Sequence, residues 1–94
     1  MSDQILHTLR SHKGFLASKY YVSAIALFGS YSRNEAGENS DVDIMVEFSQ
    51  TPGLEFIDLA LYLEKVLGLK VDLVSRNAIK PKYFAFIKKD LKYA

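Results

Sequence analysis

Two stretches constrain this chain more than any others: the apolar run VSAIALF (Val22 to Phe28), closed by Gly29 and Ser30, and the run DVDIMVEF, which begins at Asp41 after ten intervening residues. The first run is short, apolar and β-branched at two positions, and a glycine ends it, which predicts a buried strand. In the second, Val42, Ile44, Val46 and Phe48 fall on one face of an extended chain and Asp41, Asp43, Met45 and Glu47 on the other. One face is core, and the other carries carboxylates.

The remaining elements arrange themselves around these strands. From Asp3 to about Tyr20 the residues Ile5, Leu6, Leu9, Phe15 and Leu16 recur at helical spacing, with Ser2 or Asp3 placed to cap the first turn. Tyr20 and Tyr21 are expected to end that helix and pack. Residues Tyr31 to Glu35 predict a short helix or turn, and AGENS (Ala36 to Ser40) a polar loop. A longer helix is expected to open at Thr51 and Pro52 and to stop at Gly68. Its stripe of Phe56, Leu59, Ala60, Leu63, Val66 and Leu67 is widened by Ile57 and Leu61, which suggests burial on more than one side or a partner. KVDLV (Lys70 to Val74) reads as a third strand with Asp72 opposite Val71 and Leu73. Lys82 to Leu91 predict a last short helix with Phe84, Ile87 and Leu91 inward, and Lys92 to Ala94 an extended end. The order predicts a small α/β (α+β) fold, with a mixed sheet of three strands or more and helices mainly on one face.

Composition narrows the function classes. Ninety-four residues make one domain, spanning 1–94, with a single modest core. With 49% apolar and 24% charged residues the chain is globular rather than disordered. A net charge of +1 gives no general pull on nucleic acid, which is not expected as a direct partner. The absence of cysteine excludes a disulfide framework and a thiolate metal site, and agrees with a reducing compartment. No window approaches the roughly 20 apolar residues of a membrane span, and the N-terminus lacks the apolar core of a signal peptide, so a cytoplasmic protein is expected.

The chemistry rests on three aspartates and a Gly-Ser. Residues i and i+2 of a strand share a face with Cα atoms roughly 6.5 to 7 Å apart, so Asp41 and Asp43 can converge on ions above the sheet. Oxygen ligands suit magnesium, which takes one or two carboxylates and fills its other positions with water and substrate phosphate. If Asp72 lies on a neighbouring strand, about 5 Å away, it completes a two-ion site and can accept the proton of an attacking hydroxyl. Gly29 allows close backbone approach at the strand end, and Ser30 adds a hydroxyl donor for phosphate. Arg33 either reaches a phosphate or pairs with Glu35, Glu38 or a carboxylate of the site. A lone Asp-x-Asp is more often a solvated strand face, and a lone Gly-Ser only a turn. Their combination at one spacing, within strand periodicity, is what gives weight to a site.

These residues resemble the minimal nucleotidyltransferases (MNT proteins) of the DNA polymerase beta-like superfamily. The resemblance lies in GSYSRNEAGENSDVDIMV, with KVDLVS as the later acidic strand, and it extends over nearly the whole chain. It implies a magnesium-dependent nucleotidyltransferase using ATP, with Gly29 and Ser30 on the triphosphate, Asp41 and Asp43 on magnesium, and Asp72 as third catalytic carboxylate. MNT proteins are typically paired with HEPN proteins in toxin-antitoxin systems, so it further implies an antitoxin that transfers AMP to a tyrosine of a HEPN partner. A hetero-oligomer is then expected, with a homodimer as the alternative. Family members often have Ala and Gly flanking the arginine after Gly-Ser, whereas Ser32 and Asn34 stand here. Asn is the commonest non-glycine residue at positive φ, so the change is expected to be tolerated.

Two other functions fit the same residues: an antitoxin that neutralises by binding alone, and a nucleotidyltransferase acting on a small molecule. The apolar stripe from Leu54 to Leu67 and the aromatic Tyr83, Phe84 and Phe86 are candidate partner surfaces, with core packing the simpler explanation for most of them. His7 and His12, five apart, do not share a helix face as metal ligands, and Lys80, Lys82, Lys88, Lys89 and Lys92 read as a solvated basic face.

Overall fold

A computed structural model of the chain describes residues 2–94. Among them, strands β1 (Val22–Phe28), β2 (Val42–Phe48), β3 (Val71–Ser75) and β4 (Lys92–Tyr93) form one mixed sheet in the order β3-β2-β1-β4. β1 pairs antiparallel with β2 and β4, while β2 and β3 run parallel. The helices among these residues are α1 (Ser2–Ser11), α2 (Lys13–Tyr20), the four-residue α3 (Gly29–Ser32), α4 (Glu55–Leu67) and α5 (Pro81–Ile87). None is long and apolar enough to cross a membrane.

The strand alternation determines where the core lies. Ile25 and Leu27 of β1 and Val42, Ile44 and Val46 of β2 are buried together with Ile5, Leu6, Leu9, Leu16, Leu59 and Leu63. The parallel step from β2 to β3 needs a crossover, and α4 supplies it while placing Leu59 and Leu63, both fully buried, over the sheet. The other face is not purely polar. Ala26 and Met45 point away from that core and are also fully buried, because the turns flanking α5, at 76–78 and 88–90, pack against β2 and β1, with Ile87 inward.

Three features differ from the expectations above, each for a local reason. The first helix breaks at His12, which takes φ −103° and ψ 1°. The His12 ring Nδ1 donates to the Thr8 carbonyl at 2.8 Å, occupying the acceptor that a continuous helix would give to the His12 backbone N–H. Past the break, Phe15 is 47% exposed rather than core and lays its ring against Tyr62, with centroids 5.1 Å apart. α4 starts at Glu55, not at Pro52, since the Glu55 carboxylate turns back to accept the Gly53 N–H at 2.7 Å and holds 51–54 in a turn. The last helix ends at Ile87 and passes into a tight turn at 88–90 instead of running to Leu91.

Other boundaries fall where expected. β1 covers Val22–Phe28, and Gly68 closes α4 in the left-handed region, its N–H bonded to the Glu64 carbonyl at 2.8 Å. Tyr20 is buried, and Tyr21 ends α2 at φ +61°. Asn34 takes φ +58°, the conformation for which asparagine is suited. Lys92–Tyr93 is extended and pairs with Leu27 and Ala26 of β1. Ile57 and Leu61, the residues that widened the α4 stripe, face outward at 59% and 60% exposure, and Leu54 just ahead of the helix is 76% exposed. Leu59→Ala, which empties a fully buried position between α4 and the sheet, is expected to cost about 2–5 kcal/mol in urea unfolding, whereas Ile57→Ala stays within about 1 kcal/mol.

Candidate active site

The end of β1 and the start of β2 meet in close contact. Phe28 pairs with Asp43 across the antiparallel ladder, and Gly29 then turns the chain into α3 at φ +75°. A Cβ on residue 29 would overlap Oδ2 of Asp43 and lie 3.0 Å from its Cγ. The glycine therefore gives its side-chain space to a carboxylate and adopts a backbone conformation that other residues rarely take.

On the opposite side, the parallel ladder aligns Asp43 with Asp72. Both belong to the face away from the helical core, so two carboxylates stand side by side on adjacent strands. Asp43 is partly buried, and its carboxyl is pushed up from 3.8 to about 6, first by burial and then by the charges of Asp72 and Asp41, against a smaller opposing effect of Arg33. Asp41 stands just ahead of β2, exposed, and borders a neighbouring hollow with Tyr31, Ser40 and Lys70.

A cavity of about 410 Å³ opens over this meeting point. Gly29, Arg33, Asp43 and Asp72 line it, so four of the residues singled out in the sequence come together. Ser30 and Asp41 are not part of that lining; the Ser30 carbonyl accepts the Glu35 N–H at 2.8 Å. Arg33 pairs with Glu35, Nε to Oε1 at 2.7 Å, as one of the sequence alternatives allowed. It also pairs through Nη1 with Oδ2 of Asp90 at 2.6 Å, a partner 57 positions away that the sequence did not suggest. The far wall is made by Ile79, Tyr83, Phe86 and Ile87, also unanticipated as site residues. The signal for that wall was in the alternation: Met45 and Val74 share the carboxylate face, and apolar side chains there require a cover.

The site's donors are hard oxygens, crowded enough to repel one another, which is the donor set that magnesium takes. Among the described residues no three His, Asp or Glu side chains form a ready-made metal cage. Magnesium needs only one or two carboxylates when phosphate and water complete its shell, so Asp43 and Asp72, with Asp41 beside them, fit it.

A small mixed sheet that sets aspartates side by side on two strands, next to a glycine turn opening a short helix, is the layout of an enzyme that transfers a nucleotide. Comparison with known proteins agrees. The family model described as a nucleotidyltransferase domain matches residues 9–94, and the chain belongs to that family. It is 52% identical over 93 residues to a proposed protein adenylyltransferase of Methanocaldococcus jannaschii, covering 97% of this chain and 95% of that one. Among solved structures, a proposed minimal nucleotidyltransferase superposes with a TM-score of 0.75 at 32% identity over 93% of each chain. A chain from the complex of a tri-AMPylated Shewanella oneidensis HEPN toxin with its MNT antitoxin superposes with a TM-score of 0.61 at 26% identity, over 98% of this chain and 66% of that one.

Two outcomes follow from the crowding. Gly29→Ala forces Asp43 aside and strains residue 29, and is expected to lower stability by about 1–3 kcal/mol in chemical denaturation. Asp43→Asn removes the crowded charge. Because the folded carboxyl titrates near 6 and the unfolded one near 3.8, the native state of the metal-free protein loses stability as pH rises through that window. The variant is therefore expected to be more stable than the parent above pH 6, by about 1 kcal/mol after solvent screening, and equal to it below about pH 4, as read by thermal melts in chelator.

Proposed function

We propose that the chain is the antitoxin of a HEPN/MNT pair and acts as a magnesium-dependent protein adenylyltransferase, moving AMP from ATP to a tyrosine of its HEPN partner. The observation that carries this reading is the alignment of Asp43 with Asp72 beside a glycine that leaves the carboxylate room. The relatives support adenylyl transfer and a HEPN partner: one is a proposed protein adenylyltransferase, and a structural neighbour comes from a complex of an AMPylated HEPN toxin with an MNT antitoxin.

In this mechanism Gly29 and Ser30 receive the triphosphate at the end of β1, Asp43 faces it from β2, and Asp41 approaches it from the residue just ahead of that strand. Asp43, Asp41 and Asp72 would hold magnesium, which when bound neutralises phosphate charge as it shifts to the leaving group. The tyrosine oxygen forms its bond to the α-phosphorus, the bond from that phosphorus to the bridging oxygen breaks, and pyrophosphate departs with the electron pair. Asp72, the more exposed of the aligned pair, takes the phenolic proton. The exposed stripe of Leu54, just ahead of α4, and Ile57 and Leu61 within it supports a protein partner rather than a small acceptor.

The test is incubation with α-labelled ATP, magnesium and the protein encoded next to this one. The expected result is label on a partner tyrosine, reduced about 100-fold or more by Asp43→Asn or Asp72→Asn. A bound but unlabelled partner would sink the transferase reading. Toxin neutralisation that survives the Asn variants intact would favour inhibition by binding alone.

A further inference from the structure

The guanidinium of Arg33 is gripped at two places. Glu35 accepts from Nε at 2.7 Å and Asp90 from Nη1 at 2.6 Å, and three further N–H donors of the side chain stay unused by these pairs. Arg33 lines the cavity beside Gly29 and Asp43, and is the one cation among the described residues that form its wall. The two grips differ: the Glu35 carboxylate is 64% exposed and that of Asp90 only 22%. The shielded pair is the stronger restraint, since water and salt compete less for it.

Asp90 is itself fixed in place. Its backbone carbonyl accepts a hydrogen bond from the buried hydroxyl of Ser32 in α3, which ties the 88–90 turn to the element that follows Gly29. Immediately after it, Lys92 and Tyr93 pair with Leu27 and Ala26 of β1, and the Ala94 N–H bonds the Ile25 carbonyl at 3.0 Å. The C-terminal strand thus anchors a carboxylate against the arginine that follows the Gly-Ser turn.

Resting on the nucleotidyltransferase reading of this cavity, we propose that Asp90 is a positioning residue for triphosphate binding: it holds Arg33 in the orientation that presents its free N–H groups to the phosphates. An arginine side chain loses much rotamer freedom when it is immobilised on a ligand. Here Asp90 and Glu35 impose that loss during folding, so the nucleotide meets a donor already in place. The two carboxylates take Nε–H and one N–H of Nη1, which leaves three N–H groups for a ligand, and the guanidinium stays protonated in such pairs.

The test measures binding of AMP-PNP with magnesium by calorimetry to the parent, Asp90→Asn, Arg33→Ala and the double variant, with thermal melts confirming that each is folded. Asp90→Asn is expected to weaken binding about 3- to 10-fold, the effect of freeing one long side chain. Adding Asp90→Asn to Arg33→Ala should weaken it no further, because Asp90 acts through the arginine. Asp90→Glu should recover part of the loss. Unchanged affinity in Asp90→Asn would overturn the proposal and leave Asp90 a structural residue. Tighter binding would also overturn it, by showing that Asp90 withholds Arg33 from the phosphates. If the parent binds no AMP-PNP, both this proposal and the nucleotidyltransferase reading of the cavity fall. Binding that follows the expected pattern without transfer to any partner would uphold the role of Asp90 and remove only the protein-acceptor reading.

Discussion

The structure turns on the contact between Gly29 and Asp43. Antiparallel pairing of β1 with β2 sets Phe28 opposite Asp43, so the next residue must pass directly over the carboxylate. Only a residue without a Cβ can do this, and only one at ease with φ +75° can then turn the chain into α3. What reaches the cavity from this side, Gly29 itself and the guanidinium of Arg33, inherits its position from that turn. The same contact keeps Asp43 partly buried, which is the main reason its carboxyl is harder to ionise than usual.

The second constraint is the parallel crossover. Had β3 returned antiparallel by a hairpin, the pairing pattern and the connecting length would both differ, and α4 would not be needed as a bridge. As built, α4 covers the apolar face with Leu59 and Leu63 and returns the chain at the register that places Asp72 beside Asp43. Core and site are thus opposite faces of the same three strands, and a slip of one residue in β2 would exchange them.

Legibility in the sequence followed the range of the interaction involved. β1 could be bounded from its own residues, since an apolar run ending in glycine is a local signal. The facing of Asp43 was likewise local, a consequence of alternation. The register between Asp43 and Asp72 was not, because nothing in KVDLV states which residue of β2 it pairs with; only the crossover decides that. The break at His12 is not legible in the sequence because it depends on a side chain competing for a backbone acceptor, which leaves helical periodicity nearly intact. The start of α4 was misplaced because Glu55 capping Gly53 outweighed the preference of proline for the first helical turn. Asp90 has no local signal: it reaches Arg33 only because a two-residue strand at the C-terminus pairs with β1, and Met45 and Val74 on the carboxylate face are the hints that this region is covered.

The site also runs against the economy of the rest of the fold. Elsewhere polarity follows burial, with the described side-chain polar atoms that are buried all finding hydrogen-bond partners. At the cavity, Asp43 is partly shielded from water, faces two like charges and has one nearby cation, which is itself shared with Glu35 and Asp90. Such a cluster lowers the stability of the empty protein at neutral pH, and it persists because the helical core on the reverse face holds the strands regardless. A cationic ligand relieves this repulsion, whereas a bare triphosphate would add to it. Under the proposed function, the crowding that costs the fold stability is what would favour a nucleotide arriving with a charge-neutralising metal over a bare one.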